Sequence, residues 1–195
     1  VASDEQLLAA GVEVFECDRG GDVTYHGPGQ LMGYPILDLR GFSPPIGAVE
    51  FVRRIEEVLI RTCAEFGIAV ERVAGMTGVW TRQTQAKIAA IGVHISRAVT
   101  SHGFALNVNT NLGHFDLIVP CGLTAKPVTS MFRELGVEMA LEEVARAVAR
   151  NFGQVFGVEV RWVESLDALA NQPVGVPLRA PEELRRLRGE EDTWA

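Results

Sequence analysis

Residues 48–66 constrain the fold most. Val52, Ile55, Val58, Leu59, Thr62, Cys63 and Phe66 recur there at three- and four-residue steps, and Gly67 follows as a stop. Such a stripe predicts an amphipathic helix that must bury one face against a second layer. A second stripe, over residues 141–156, predicts another helix, with Leu141, Val144, Val148, Phe152, Val155 and Phe156 facing inward. Between the two lie strand-like runs. Residues 87–95 and 103–108 predict a hairpin joined by "SRAVTSH", with Phe104, Leu106 and Val108 on one face. Shorter strands are expected at 12–15, 31–39, 78–81 and 117–119, with Pro35 marking an edge or a bend. Strands interspersed with helices give an α/β class, a mixed sheet flanked by helices. At 195 residues and 47% hydrophobic, the chain can bury a core of that kind.

Charge and composition narrow the function. The net charge of −7 gives no broad basic face for nucleic acid or anionic membrane. No apolar run approaches the roughly 20 residues that span a bilayer. Cys17, Cys63 and Cys121 are few and far apart, which fits a reduced, cytoplasmic protein. No spacing suggests a zinc site, so no metal is expected. Cys63 reads as core, and Cys17 as core too. The tail from Ala180, "APEELRRLRGEEDTWA", reads as a charged surface helix followed by a frayed end.

Three places carry chemistry. The stretch "RGGDVTYHGPGQ" at 19–30 is neither a Walker loop nor a dinucleotide fingerprint. Its glycines allow close backbone approach to a ligand, and Arg19, Tyr25 and His26 supply donors at its edges. Cys121, in "VPCGL", sits at a turn between Pro120 and Gly122 after an apolar run. A free thiol with a pKa near 8.5 is only about 3% thiolate at pH 7, so a nucleophilic cysteine needs a helper. His26, His94, His102 and His114 are available, as is Lys87, one of only two lysines with Lys126.

Three blocks, "RGGDVTYHGPGQLMGYPILDL", "KIAAIGVHISRAVTSHGFALNVNTNL" and "VPCGLTAKPVTSM", closely resemble the lipoyl(octanoyl) transferase family, over about residues 7–156. The resemblance implies a fold like the catalytic domains of lipoate and biotin protein ligases, with the site on one sheet face. It implies transfer of an octanoyl group from octanoyl-acyl carrier protein to a lysine of lipoyl domains, through a cysteine thioester. Acceptors would be lipoyl domains of 2-oxoacid dehydrogenase complexes and the glycine-cleavage H protein. No cofactor is implied.

The family nucleophile falls on Cys121 and its partner lysine on Lys87. The acyl pocket falls on Arg19, Gly20, Gly21, Asp22, Val23, Thr24, Tyr25 and His26, on Ala90, Ile91 and Gly92, and on Gly103, Phe104 and Ala105. His26 and His102 would orient groups at its mouth, while His94 and His114 read as surface or structural. A catalytic domain at 1–165 and a tail at 166–195 are expected, with a family N-terminal part preceding this sequence. Ala89 stands where many relatives have Cys. The competing reading is an ATP-dependent lipoate or biotin protein ligase, which needs no nucleophilic cysteine.

Overall fold

The computed structural model describes residues 2–118 and 127–163. The chain divides into two compact units, Val1–Val160 and Arg161–Ala195. Everything below concerns the first. Cys121, Lys126 and the tail from Ala180 lie outside the described residues.

A short helix, α1 (Asp4–Ala9), opens with a capping box between Ser3 and Gln6. The sheet has five strands: β1 (Gln30–Gly33), β2 (Val70–Val73), β3 (Met76–Thr81), β4 (Lys87–Ser96) and β5 (Val99–Asn107). Their order is β1-β5-β4-β3-β2, and every neighbouring pair is antiparallel. One parallel bridge, Lys87 to Val128, ties a later segment to the start of β4. The expected hairpin is β4–β5, but its turn is tighter than "SRAVTSH". Ser96 faces Val99, and Arg97 and Ala98 turn the chain with φ of 51° and 65°. Positive φ at both central residues matches the right-handed strand twist.

The helical stripes form α2 (Ala48–Glu65) and α4 (Leu141–Phe156), with a short α3 (Met131–Leu135) between them. Phe66 caps α2 rather than continuing it, and Gly67 follows at φ 77°. Helices α2 and α4 pack on one face of the sheet. Phe51, Ile55, Val58 and Leu59 meet Val79, Ile88, Phe104 and Leu106 in one buried cluster. Phe51 is fully buried and meets the Phe156 ring edge-on at 5.9 Å. Phe51→Ala is expected to cost about 3–5 kcal/mol through lost burial and a residual cavity. A lower denaturation midpoint at unchanged slope would show it.

Three strand expectations need correction. Residues 12–15 form no strand, and the segment that follows them meets the sheet through single bonds such as Gly20 N–H to Val93 O at 3.0 Å. The 31–39 run stops at Gly33. Leu37 and Asp38 continue only as isolated contacts with Thr100 and Val99, since Pro35 has no N–H to give. Leu117 ends a 3-10 turn, Leu112–Leu117, opened by the Asn111 side chain accepting from Gly113 N–H.

Candidate active site

The helices leave the other face of the sheet to a cavity. In the hairpin, Ala90 pairs with Ala105 and Gly92 with Gly103. The two alanine methyls and the bare glycine backbones form a shallow floor. A cavity of ≈ 600 Å³ lies over it, walled by the 13–26 segment and by Met76, Trp80 and Lys87. A smaller lobe of ≈ 130 Å³ continues around Lys87 and Trp80 toward Asn107, Phe115, Ile118 and Val128.

Most of the expected pocket residues come together here. Arg19, Gly21, Asp22, Val23, Thr24 and His26 line the larger lobe, and Ala90, Ile91, Gly92, Gly103, Phe104 and Ala105 do so from the hairpin. Gly20 crosses just above: a Cβ on Gly92 would stand 2.7 Å from its carbonyl oxygen and 3.0 Å from Arg19 Cδ. Tyr25 is buried and braces the wall instead of lining it. Its hydroxyl meets His114 Nδ1 at 2.8 Å, and its ring packs edge-on against Phe115.

Lys87 reaches the cavity through an irregularity. Simple alternation along β4 would put it on the face of Ala89 and Ile91, toward the helices. Between β3 and β4 the register shifts, so that Val79 pairs with Ala89 but Trp80 with Lys87. A bulge of this kind re-aims the side chains beyond it. Lys87 therefore shares the cavity face with Trp80, and its Nζ lies 5.0 Å from the indole ring centre. Burial lowers the Lys87 pKa below its usual 10.5. The backbone of Lys87 is held on its far side by 127–129: Lys87 N–H donates to Pro127 O at 2.8 Å, and Thr129 N–H to Lys87 O at 3.0 Å.

Polar side chains frame both lobes. The Gln30 amide donates to Tyr25 O at 3.0 Å and to Asn107 Oδ1 at 2.9 Å, so its Oε1 accepts from His26 Nδ1 at 3.1 Å. Asn107 in turn donates to Thr129 O at 3.0 Å. At the opposite end, His102 Nε2 donates to Asp18 Oδ1 at 2.8 Å and His94 Nδ1 to Asp18 O at 3.1 Å. The His102 bond holds the Asp18 carboxyl below the usual carboxylate range.

Gln30, Asn107, Trp80 and the Asp18 pairing escaped the sequence reading, because their roles depend on which strands become neighbours. His114, read as surface or structural, holds the pocket wall. Cys17 is not core: it is exposed and lines the cavity. Cys63 is core, and burial pushes its thiol up to about 12. Among the described residues no group of His, Cys, Asp or Glu is placed to hold a metal, and no helix is long and apolar enough to cross a membrane.

Residues 1–153 match the lipoyl protein ligase A/B catalytic domain, and the chain belongs to that family. An octanoyltransferase of Koribacter versatilis is 65% identical over 188 residues, covering 96% of this chain and 75% of its own length. One from Chloroflexus aurantiacus is 52% identical over 167 residues, covering 85% and 74%. Among solved structures, a lipoate-protein ligase A bound with ATP superposes with a TM-score of 0.66 at 16% identity, covering 87% of this chain and 70% of its own. The biotin protein ligase of Aquifex aeolicus superposes at 0.51, with 15% identity and 66% and 53% covered. At such identities the likeness is one of fold.

Proposed function

We propose that this chain is an acyltransferase that moves an octanoyl group from octanoyl-acyl carrier protein to a lysine of a lipoyl domain, by way of a thioester on Cys121. The observation that carries the reading is Lys87, a part-buried amine of lowered pKa at the junction of two largely apolar lobes. Relatives named octanoyltransferase at up to 65% identity support the same reaction. A structural neighbour from Thermoplasma acidophilum, a bipartite lipoate protein ligase described with its E2 lipoyl domain, supports lipoyl domains as acceptors.

In the first step the Cys121 thiolate attacks the thioester carbonyl. A new C–S bond forms as the carrier's C–S bond breaks, and the leaving thiolate takes its proton from cationic Lys87, which is left neutral. Lys87 in its cationic form stabilises the attacking thiolate. One thioester replaces another, so no ATP is required. In the second step the acceptor amine attacks the acyl-enzyme. Its C–N bond forms as the Cys121 C–S bond breaks, and its proton passes to neutral Lys87. The acyl chain lies over the Ala90–Ala105 pair, while the bare Gly92 backbone makes room for the Gly20 carbonyl and the Arg19 stem that wall the lobe.

The reading is tested by mixing the protein with octanoyl-carrier protein without ATP and weighing it intact. An octanoyl adduct released by hydroxylamine, and discharged by a lipoyl domain, is expected. Transfer that appears only with ATP and free octanoate would replace this reading with the ligase one.

The Gly92 contact also sets a length preference. Gly92→Val would push the Gly20 carbonyl and Arg19 away from the hairpin and into the lobe. Losing room for two methylenes, at about 0.8 kcal/mol each, is expected to shift preference from octanoyl toward hexanoyl roughly tenfold. Competing the two acyl-carrier substrates and comparing kcat/KM measures it.

A further inference from the structure

A buried carboxylate lies across the sheet from the cavity, with no part in the chemistry above. Glu56 belongs to α2, on the helix face, and is fully buried. Its carboxylate accepts from Arg53 Nη1 at 2.7 Å, from Arg72 Nε at 3.1 Å and from the Gly78 backbone N–H at 3.2 Å. Well-packed apolar residues in place of a buried ion pair are often as stable or more so, so stability alone is a weak reason for this one.

Its backbone partner is unusual. Gly78 has φ of 127°, a conformation that disfavours a Cβ, and no residue stands opposite it in the register of β2 or β4. Both ladders are irregular around it, and the Glu56 carboxylate takes its N–H instead. A Cβ built on Gly78 would stand 2.8 Å from Lys87 Cε, 2.7 Å from Ala89 O and 3.4 Å from Trp80 Cη2. The bare Gly78 backbone is thus the shelf on which the Lys87 stem lies, one residue before the register shift that turns Lys87 into the cavity.

We propose that Glu56 and Gly78 are positioning residues for Lys87: the carboxylate pins the Gly78 peptide, and that peptide fixes where the Lys87 amine stands. The inference rests on Lys87 being the working amine of the proposed transferase. Position matters there, since a misplacement of about 1 Å in a catalytic constellation costs about 10²-fold in rate.

The chain has two lysines, so lysine labelled at Cε gives two NMR signals, assigned with Lys126→Arg. The test follows the Lys87 signal through a pH titration in Glu56→Gln and Gly78→Ala, beside kcat, KM and thermal midpoint. In both variants the Lys87 titration is expected to move up toward an ordinary lysine, with kcat down about 10²-fold and KM little changed. Glu56→Gln keeps an acceptor for Gly78 N–H but loses the charge that draws two arginines, so it serves if Gly78→Ala does not fold. A folded Glu56→Gln with a lower midpoint but an unmoved Lys87 titration and unchanged kcat overturns the proposal. If the Lys87 signal moves but Lys87→Ala itself transfers normally, the positioning stands and the catalytic role of Lys87 falls.

Discussion

Lys87→Ala is expected to slow the second half-reaction by about 10²–10⁴-fold, the usual contribution of a positioned general base. In the proposed cycle the same amine would act with opposite sign in the two steps, and pH would separate them. Burial holds its pKa below 10.5, so more of it is neutral at a given pH than of an exposed lysine. As a base it must be neutral, so discharge to the acceptor should rise with pH up to the lowered pKa and level off above it. As the thiolate's counter-charge it must be protonated, so acylation should lose that assistance as pH climbs through the same point. Single-turnover rates of each half-reaction across pH would show both limbs in wild type. Neither limb should remain in Lys87→Ala. Near wild-type rates in both steps would remove Lys87 from the mechanism.

Cys121→Ala is expected to abolish the acyl-enzyme outright, because the proposed thioester forms on that sulfur. Cys63 is in the core with its pKa pushed to about 12, so it supplies essentially no thiolate. Cys17 is exposed on the cavity and is the sensible control. Intact mass after mixing with octanoyl-carrier protein should show the adduct in wild type and Cys17→Ser, and none in Cys121→Ala. Transfer by Cys121→Ala at wild-type rate would rule out the thioester on that residue.

The parts of the fold legible in the sequence are those whose signal is local. The α2 and α4 stripes show because each residue's burial follows from its neighbours three and four along. The Phe104, Leu106 and Val108 alternation shows for the same reason. The β4–β5 turn was read too long because Arg97 and Ala98 are not the Asn and Gly that usually mark positive φ. The apolar alternation at 12–15 suggested a strand, but a strand needs an edge to pair with, and pattern alone does not supply one.

The site divides along the same line. Contiguous pocket blocks at 19–26, 90–92 and 103–105 were visible as motifs. Gln30 reaching Asn107, and Asp18 reaching His102, join residues 77 and 84 positions apart. The bulge that delivers Lys87 is least visible of all, because it is a property of the register between two strands.

The cavity floor has a kinetic consequence. Lys87, Ala90, Gly92, Gly103 and Ala105 all belong to one hairpin closed by a two-residue turn. Its pairs lie within 17 residues of each other, whereas β1 must return across more than seventy residues to meet β5. Loop closure grows costlier with separation, so the floor of the proposed acyl pocket is expected to assemble early and from a single stretch of chain. The walls around it, from the 13–26 segment and from 127–129, come from distant parts of the sequence and are expected to be added afterwards.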